Sequence, residues 1–260
     1  MKKGNTTFQD ARNRKDDEFY TTYESIDSEM RHYKSHFAGK TVYCNCDDPY
    51  KSNFARYFLK NFNTLGIKRL IVTSFKDSKQ SLEHNTLDKT KGRILDISNI
   101  KEGTREISDE YIDYWLHNEA PVTNLNGDGD FRSKECLALL DESDIIVTNP
   151  PFSLMRELVS ALEEHKKQYL LVGTENVLTY KEIFPLIQQN KLWTGYKSGN
   201  MPFRVPEDSK ERSNRYWVDD DGQKWRSLGN TIWLTNLDTP KRHNTIELTK
   251  TYNPEDYPKY

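Results

Sequence analysis

The stretch Asp144-Ile145-Ile146-Val147-Thr148-Asn149-Pro150-Pro151-Phe152-Ser153 constrains this chain more than any other. Ile145 to Val147 is a short, β-branched apolar run, the pattern of a buried strand. No strand ladder continues through Asn-Pro-Pro-Phe. Pro150 and Pro151 have no amide donor and their rings fix φ, and each disfavours the helical region in the residue before it. The chain therefore leaves its sheet at Asn149 in a stiff loop. That loop offers one side-chain amide, backbone carbonyls and one aromatic ring, which together can grip a planar group bearing an amine.

The segments around it alternate between strand and helix. Lys40–Cys46 reads as a first strand. Ser52–Phe62 reads as a helix, with Phe54, Tyr57, Phe58 and Phe62 at helical spacing and Gly66 closing it. Lys68–Ser74 is the second strand, which makes a βαβ unit with a parallel sheet. A helix over Ser25–Phe37, capped by Thr22 or Ser25, precedes this unit. After it come an extra strand at Arg93–Ile97, a short helix at Tyr111–His117, a turn at Gly127–Ser133 and a helix over Glu135–Leu140. Beyond the opening stretch, Phe152–His165 predicts a helix capped by Ser153, Gln168–Gly173 a strand, and Tyr180–Gln189 a helical stretch interrupted by Pro185. From Trp193 onward turns, prolines and aromatics dominate, and strands and loops replace the alternation. The expected fold is α/β, a doubly wound, Rossmann-like sheet with a smaller, irregular C-terminal region.

Composition sets outer bounds. A chain of 260 residues can bury one good core. The net charge of −2 supplies no global basic field, so contact with nucleic acid would need local clusters. One such cluster is a hairpin in which Lys210, Arg212, Arg215, Lys224 and Arg226 interleave with Tyr216, Trp217 and Trp225; it reads equally as DNA-facing or as solvated. Three cysteines make no disulfide framework and suit a reducing cytosol. No apolar run is long enough for a membrane helix, and the N-terminus has no secretory signature, so no membrane partner is expected.

Doubly wound sheets bind ligands beyond the C-terminal ends of their strands. Three polar signals fall there: Asn45–Asp48, Gly127–Asp130 and Asn149–Phe152. Each alone is ordinary turn chemistry; together they rim a pocket. Its carboxylates are Asp47, Asp48, Asp128 and Asp130, which suits ribose hydroxyls, an amine or a sulfonium. Neither G-x-G-x-x-G nor G-x-x-x-x-G-K-[ST] occurs, so phosphate cradling is not indicated. Cys44-x-Cys46 is too closely spaced for a zinc pair and reads as strand packing, so no metal is expected. His117, His165 and His243 sit in polar company and read as surface residues.

Asn149-Pro150-Pro151-Phe152 resembles the [DNS]-P-P-[YFW] motif of amino-methyltransferases. Further blocks extend the likeness: Asp17–Thr21, Val42–Pro49, Gly129–Ser133, Val147–Ser153, Tyr180–Pro185 and Trp233–Leu237 resemble, in order and over nearly the whole chain, the EcoRI-type adenine-specific DNA methyltransferases. The resemblance implies S-adenosylmethionine as cofactor, double-stranded DNA as substrate and, at system level, a cognate restriction endonuclease. It implies that Phe19, Tyr20 and Thr21 contact the methionine end of the cofactor. Asn45, Cys46, Asp47, Asp48 and Pro49 stand where most methyltransferases carry a glycine-rich loop. Asp130 and Phe131 are expected at the cofactor's adenine, and Asn149, Pro150, Pro151 and Phe152 at the reacting amine. Phe203 is the candidate for a second aromatic clamping a flipped base. The second strand ends in Thr73-Ser74-Phe75-Lys76, with no acidic residue for the ribose hydroxyls; Asp47 or Asp48 is expected to hold them instead. The implied division is a flexible basic arm over 1–18, a catalytic domain over 19–192 and a target-recognition region over 193–260. The family pattern continues past the region resembling Tyr257–Tyr260, so part of that last region is expected to be missing. The residues alone leave other acceptors open, namely cytosine N4, an adenine of RNA or a protein glutamine. They also leave open a DNA-binding protein without catalysis and an inactive, truncated remnant.

Overall fold

The structure is a computed structural model that describes residues 20–76, 87–100, 106–205, 215–245 and 247–256. The expected arm over 1–18, Phe19, Lys210, Arg212 and Tyr257–Tyr260 lie outside the described residues.

The described chain opens on β1 (Tyr20–Thr21) and α1 (Tyr23–Met30). Thr22 caps α1, its hydroxyl accepting the Ser25 amide at 3.2 Å. The helix expected as far as Phe37 stops at Met30 and gives way to a 3-10 turn at Lys34–His36. β2 (Thr41–Cys44) is buried at every position. α2 (Asn53–Lys60) begins on Ser52, whose hydroxyl accepts the Phe54 amide at 3.0 Å. β3 (Arg69–Ser74) returns parallel to β2 and completes the expected βαβ unit. β4 (Arg93–Ile97) lies antiparallel to β3, and α3 (Asp109–Asn118) leads to the short β5 (Thr123–Asn124). α4 (Lys134–Glu142) feeds β6 (Ile145–Thr148), which comes back beside β2, parallel to it. α5 (Met155–Glu164) and β7 (Gln168–Thr174) follow, then α6 (Phe184–Gln188) and β8 (Trp193–Gly199). β9 (Pro202–Arg204), β10 (Tyr216–Val218), β11 (Lys224–Ser227) and β12 (Thr231–Thr235) end the strands.

Among the described residues, eight strands form the central mixed sheet, in the order β5-β4-β3-β2-β6-β7-β12-β8. Its middle, β3-β2-β6-β7, is parallel, and the flanking strands are antiparallel. Side chains alternate between two cores. Val42, Ile145 and Leu170 pack with Phe54, Phe58 and Trp233 on one face, while Tyr43, Ile146 and Leu171 pack with Leu158 and Leu162 on the other. A second sheet has the order β1-β9-β11-β10.

Two further local expectations change. Ser153 does not cap a helix, because Phe152–Leu154 form a 3-10 turn and α5 starts at Met155 without a side-chain cap. Pro151 sits at φ −56°, ψ 122°, outside the helical region, so the chain turns tightly before winding. Pro185 starts α6 rather than interrupting a helix, since the first turn needs no amide from it. β8 and β12 both pair within the central sheet, so the division expected at residue 192 runs through that sheet. Glu29, fully buried, ties α1 to β8: it accepts from the Tyr33 hydroxyl at 2.8 Å and from the amides of Tyr196 and Lys197 at 2.7 and 2.8 Å. Among the described residues, no helix is long and apolar enough to cross a membrane.

Candidate functional site

The order β3-β2-β6 makes the C-terminal ends of β2 and β6 a switch point, where the chain proceeds to opposite sides of the sheet. The loops leaving these strands, 45–49 and 149–152, share one cleft there. Cys46, Asp47 and Asp48 line it from the β2 loop, and Asn149 and Pro151 from the β6 loop. Tyr20 and Thr21 of β1 and Ser52, Asn53 and Phe54 at the start of α2 complete the lining. The Asn53 side-chain amide donates to the Thr21 carbonyl at 2.8 Å and holds β1 against α2. None of these lining residues is a lysine, arginine or histidine, so the cleft carries carboxylates and amides beside apolar surface and does not resemble a phosphate site.

Asp47 sits at the centre of this wall. Its two oxygens accept from the hydroxyls of Ser52 and Thr148, each at 2.6 Å. The Asn149 backbone amide donates to the same carboxylate. Its own amide donates to the Thr73 carbonyl at 2.9 Å. Burial pushes its carboxyl up to about 6, against the lowering effect of those hydrogen bonds. Asp48 is engaged differently. It accepts from the nearly buried Arg93 guanidinium and from the Tyr50 amide, both at 2.9 Å. Neither carboxylate is idle, which narrows the expectation that one of them holds ribose hydroxyls. Asn45 and Pro49, on either side, are buried; the Asn45 side-chain oxygen and the Thr21 hydroxyl find no hydrogen-bond partner among the described residues.

The Gly127–Ser133 loop packs beside this cleft, not in its lining. Gly129 has φ +81°, and a Cβ there would meet the Ser74 carbonyl at 2.1 Å, so only glycine lets the loop press on the end of β3. Asp130 pairs with Arg132 through both oxygens, at 2.8 and 2.5 Å; burial raises the Cys46 thiol, and the Asp130 charge is near enough to add to that. Phe131 is buried in the second core.

Phe152 and Phe203, some fifty residues apart in sequence, meet edge to face with ring centroids 6.5 Å apart. Phe203 reaches this position because β9 pairs with β1, Phe203 opposite Thr21. On the reverse face of the same sheet, register aligns Trp217, Trp225, Arg204 and Tyr20 across β10, β11, β9 and β1. The two indoles stack at 6.3 Å and 10°, and the Trp225 ring N–H donates to Asp219 at 2.7 Å.

Of the sequence-predicted residues, the structure brings Tyr20, Thr21, Cys46, Asp47, Asp48, Asn149 and Pro151 into one lining, with Phe152 and Phe203 in contact beside it. Asp130 and Phe131 adjoin it. Sequence reasoning missed Ser52, Asn53, Phe54 and Thr148. Ser52 was legible as a helix N-cap; Thr148 carried no local signal.

A family model described as "Adenine-specific methyltransferase EcoRI" matches residues 7–260. The chain is 40% identical to "Type II methyltransferase M.EcoRI" of Escherichia coli, over 98% of this chain and 76% of that protein. It is 34% identical to "Type II methyltransferase M.MpnI" of Mycoplasma pneumoniae, over 97% and 72% respectively. It is 32% identical to "Type II methyltransferase M.MgeORF184P" of Mycoplasma genitalium, over 97% and 72%. No solved structure matches.

Proposed function

The chain belongs to the EcoRI family of adenine-specific methyltransferases, and from that premise we propose that it transfers a methyl group from S-adenosylmethionine to the N6 amine of a target adenine in double-stranded DNA. The central sheet is then a Rossmann-like methyltransferase sheet, and the β9–β11 region its DNA-facing part. The observation that carries this reading is the meeting of the Asn149–Phe152 loop and the 45–49 loop in one cleft at the switch point.

The cleft's donor set fits the cofactor. Its lining is acidic and amide-rich without a cation, and the Thr21 hydroxyl, buried at 3% exposure, has no partner among the described residues. Tyr20, Thr21, Cys46, Asp48, Asn53 and Phe54 are the residues to hold it, with Asp130 and Phe131 toward its adenine. When bound, S-adenosylmethionine supplies an electrophilic methyl group on a sulfonium.

The chain's own residues do the rest. The N6 amine of adenine is a weak nucleophile because its lone pair is delocalised into the ring. The Asn149 side-chain oxygen and the Pro150 carbonyl would accept its two N–H bonds, which would localise the lone pair on nitrogen and leave it directed toward a bound methyl donor. Those acceptors also stabilise the positive charge that develops on nitrogen until one proton leaves to solvent. Alignment for in-line attack supplies most of the remaining rate. A base inside a duplex cannot reach this loop, so the adenine is flipped out and Phe152 stacks on it. Phe203, edge-on to Phe152, holds that ring in place. The Trp217–Trp225–Arg204 row is the surface for the flanking duplex.

Asn149→Ala removes the acceptor that orients the amine and Phe152→Ala removes the stacking face. Each variant is expected to keep the wild-type melting temperature and to lose about a hundredfold or more in single-turnover methyl transfer to DNA. Full methylation by Asn149→Ala contradicts the assignment.

A further inference from the structure

We infer that Asp47 is a positioning residue that latches the Asn149–Phe152 loop through Thr148 and the Asn149 amide, rather than a ligand for the cofactor. The inference rests on the functional reading above only in taking that loop as the catalytic one.

Asp47 is 5% exposed, and the groups bonded to it are hydroxyls and an amide, not a cation. A carboxylate in such a place is costly to keep, and burial accordingly pushes it up to about 6. An ionised carboxylate accepts at about four positions. Three of them are taken by Ser52, Thr148 and Asn149, so little capacity remains for ribose hydroxyls.

What the contacts join is informative. Asp47 follows β2, Thr148 ends β6, Ser52 starts α2, and the Asp47 amide holds β3 at Thr73. One residue, through its side chain and its own amide, therefore ties the ends of three adjacent parallel strands to the first turn of a helix. Within Asn149-Pro150-Pro151 the only backbone donor is the Asn149 amide, because the prolines have none. That single donor goes to Asp47. Its direction sets where the Asn149 side chain leaves the backbone, and the two prolines carry that setting rigidly to Phe152. A misplacement of about 1 Å at such a loop costs about a hundredfold in rate.

Protonation weakens the latch, because a carboxylic acid donates one bond in place of accepting it. The titratable and charged groups facing Asp47 are Asp48, itself paired with Arg93, and the thiols of Cys44 and Cys46, both raised by burial.

Thr148→Val removes one hydroxyl at nearly constant shape from a fully buried site, and Asp47→Asn removes the charge while keeping one acceptor. Three quantities decide: the single-turnover rate on DNA, the cofactor Kd by calorimetry, and hydrogen exchange of the Asn149 amide. Thr148→Val is expected to slow transfer about tenfold and to speed Asn149 exchange about tenfold, with Kd within about threefold of wild type. Asp47→Asn is expected to transfer more slowly than wild type, and to lose the fall in rate that the wild type shows below about pH 6. A tenfold or greater weakening of cofactor binding by Asp47→Asn overturns the inference, and so does a Thr148→Val protein that exchanges and transfers like the wild type. A wild-type chain that protects the Asn149 amide but methylates no DNA supports the latch and overturns the functional reading instead.

Discussion

Asn149, Asp47 and Phe203 show how differently single residues announce themselves. Asn149 was legible because proline chemistry is local: two consecutive residues without amides end a strand wherever they occur. Asp47 was legible as an acidic residue on the rim but not in its role. Its partner Thr148 lies 101 positions away, and a lone threonine ending an apolar strand has no distinguishing pattern. The raised carboxyl of Asp47 has a consequence for stability. Its folded value, about 6, lies above its ordinary 3.8, so the folded state holds its proton more tightly than the unfolded chain does. The stability this contributes is fully present below about pH 4 and is lost as pH rises through about 6. Asp47→Asn lacks that loss. Urea unfolding at pH 4.5 and 7.5 is expected to show the variant gaining about 2 kcal/mol relative to wild type between the two. A constant difference contradicts it.

At the scale of elements, the βαβ unit and β6 were readable because their strands are uninterrupted β-branched or aromatic runs and α2 has three aromatics, Phe54, Tyr57 and Phe58, at helical spacing. β8 was not. Trp193-Thr194-Gly195-Tyr196-Lys197-Ser198-Gly199 has glycines, a lysine and no apolar run, and it becomes a strand by pairing with β12 at the sheet edge. β1 has only two residues and exists because β9 lies beside it. The β10–β11 hairpin was visible as basic and aromatic residues interleaved, but only register shows that Trp217, Trp225 and Arg204 share one face. An aromatic pair beside a cation suits nucleic acid, where stacking contributes about 1–3 kcal/mol per base. Trp217 is 40% exposed, so its replacement disturbs little of the fold. Trp217→Ala is expected to weaken duplex binding about tenfold at fixed salt, measured by fluorescence anisotropy, and to leave cofactor binding unchanged. Unaltered DNA affinity removes this hairpin from the DNA surface.

For the whole molecule, the two sheets are joined where it matters most. β1 belongs to the small sheet yet lines the cleft of the large one, and Phe203 on β9 meets Phe152 beyond β6. The cleft lining and the Phe152–Phe203 contact thus come together from residues spread between Tyr20 and Phe203. A net charge of −2 means that any contact with DNA needs local cations, since the global field supplies no attraction. The proposed methylation of adenine N6 in DNA by this cleft is tested by mass-spectrometric and sequence-resolved mapping of modified bases in DNA from cells expressing the chain. The expected result is N6-methyladenine confined to one recurring sequence and absent from cells expressing Asn149→Ala. DNA without N6-methyladenine, or with methyl groups on cytosine N4, would contradict it.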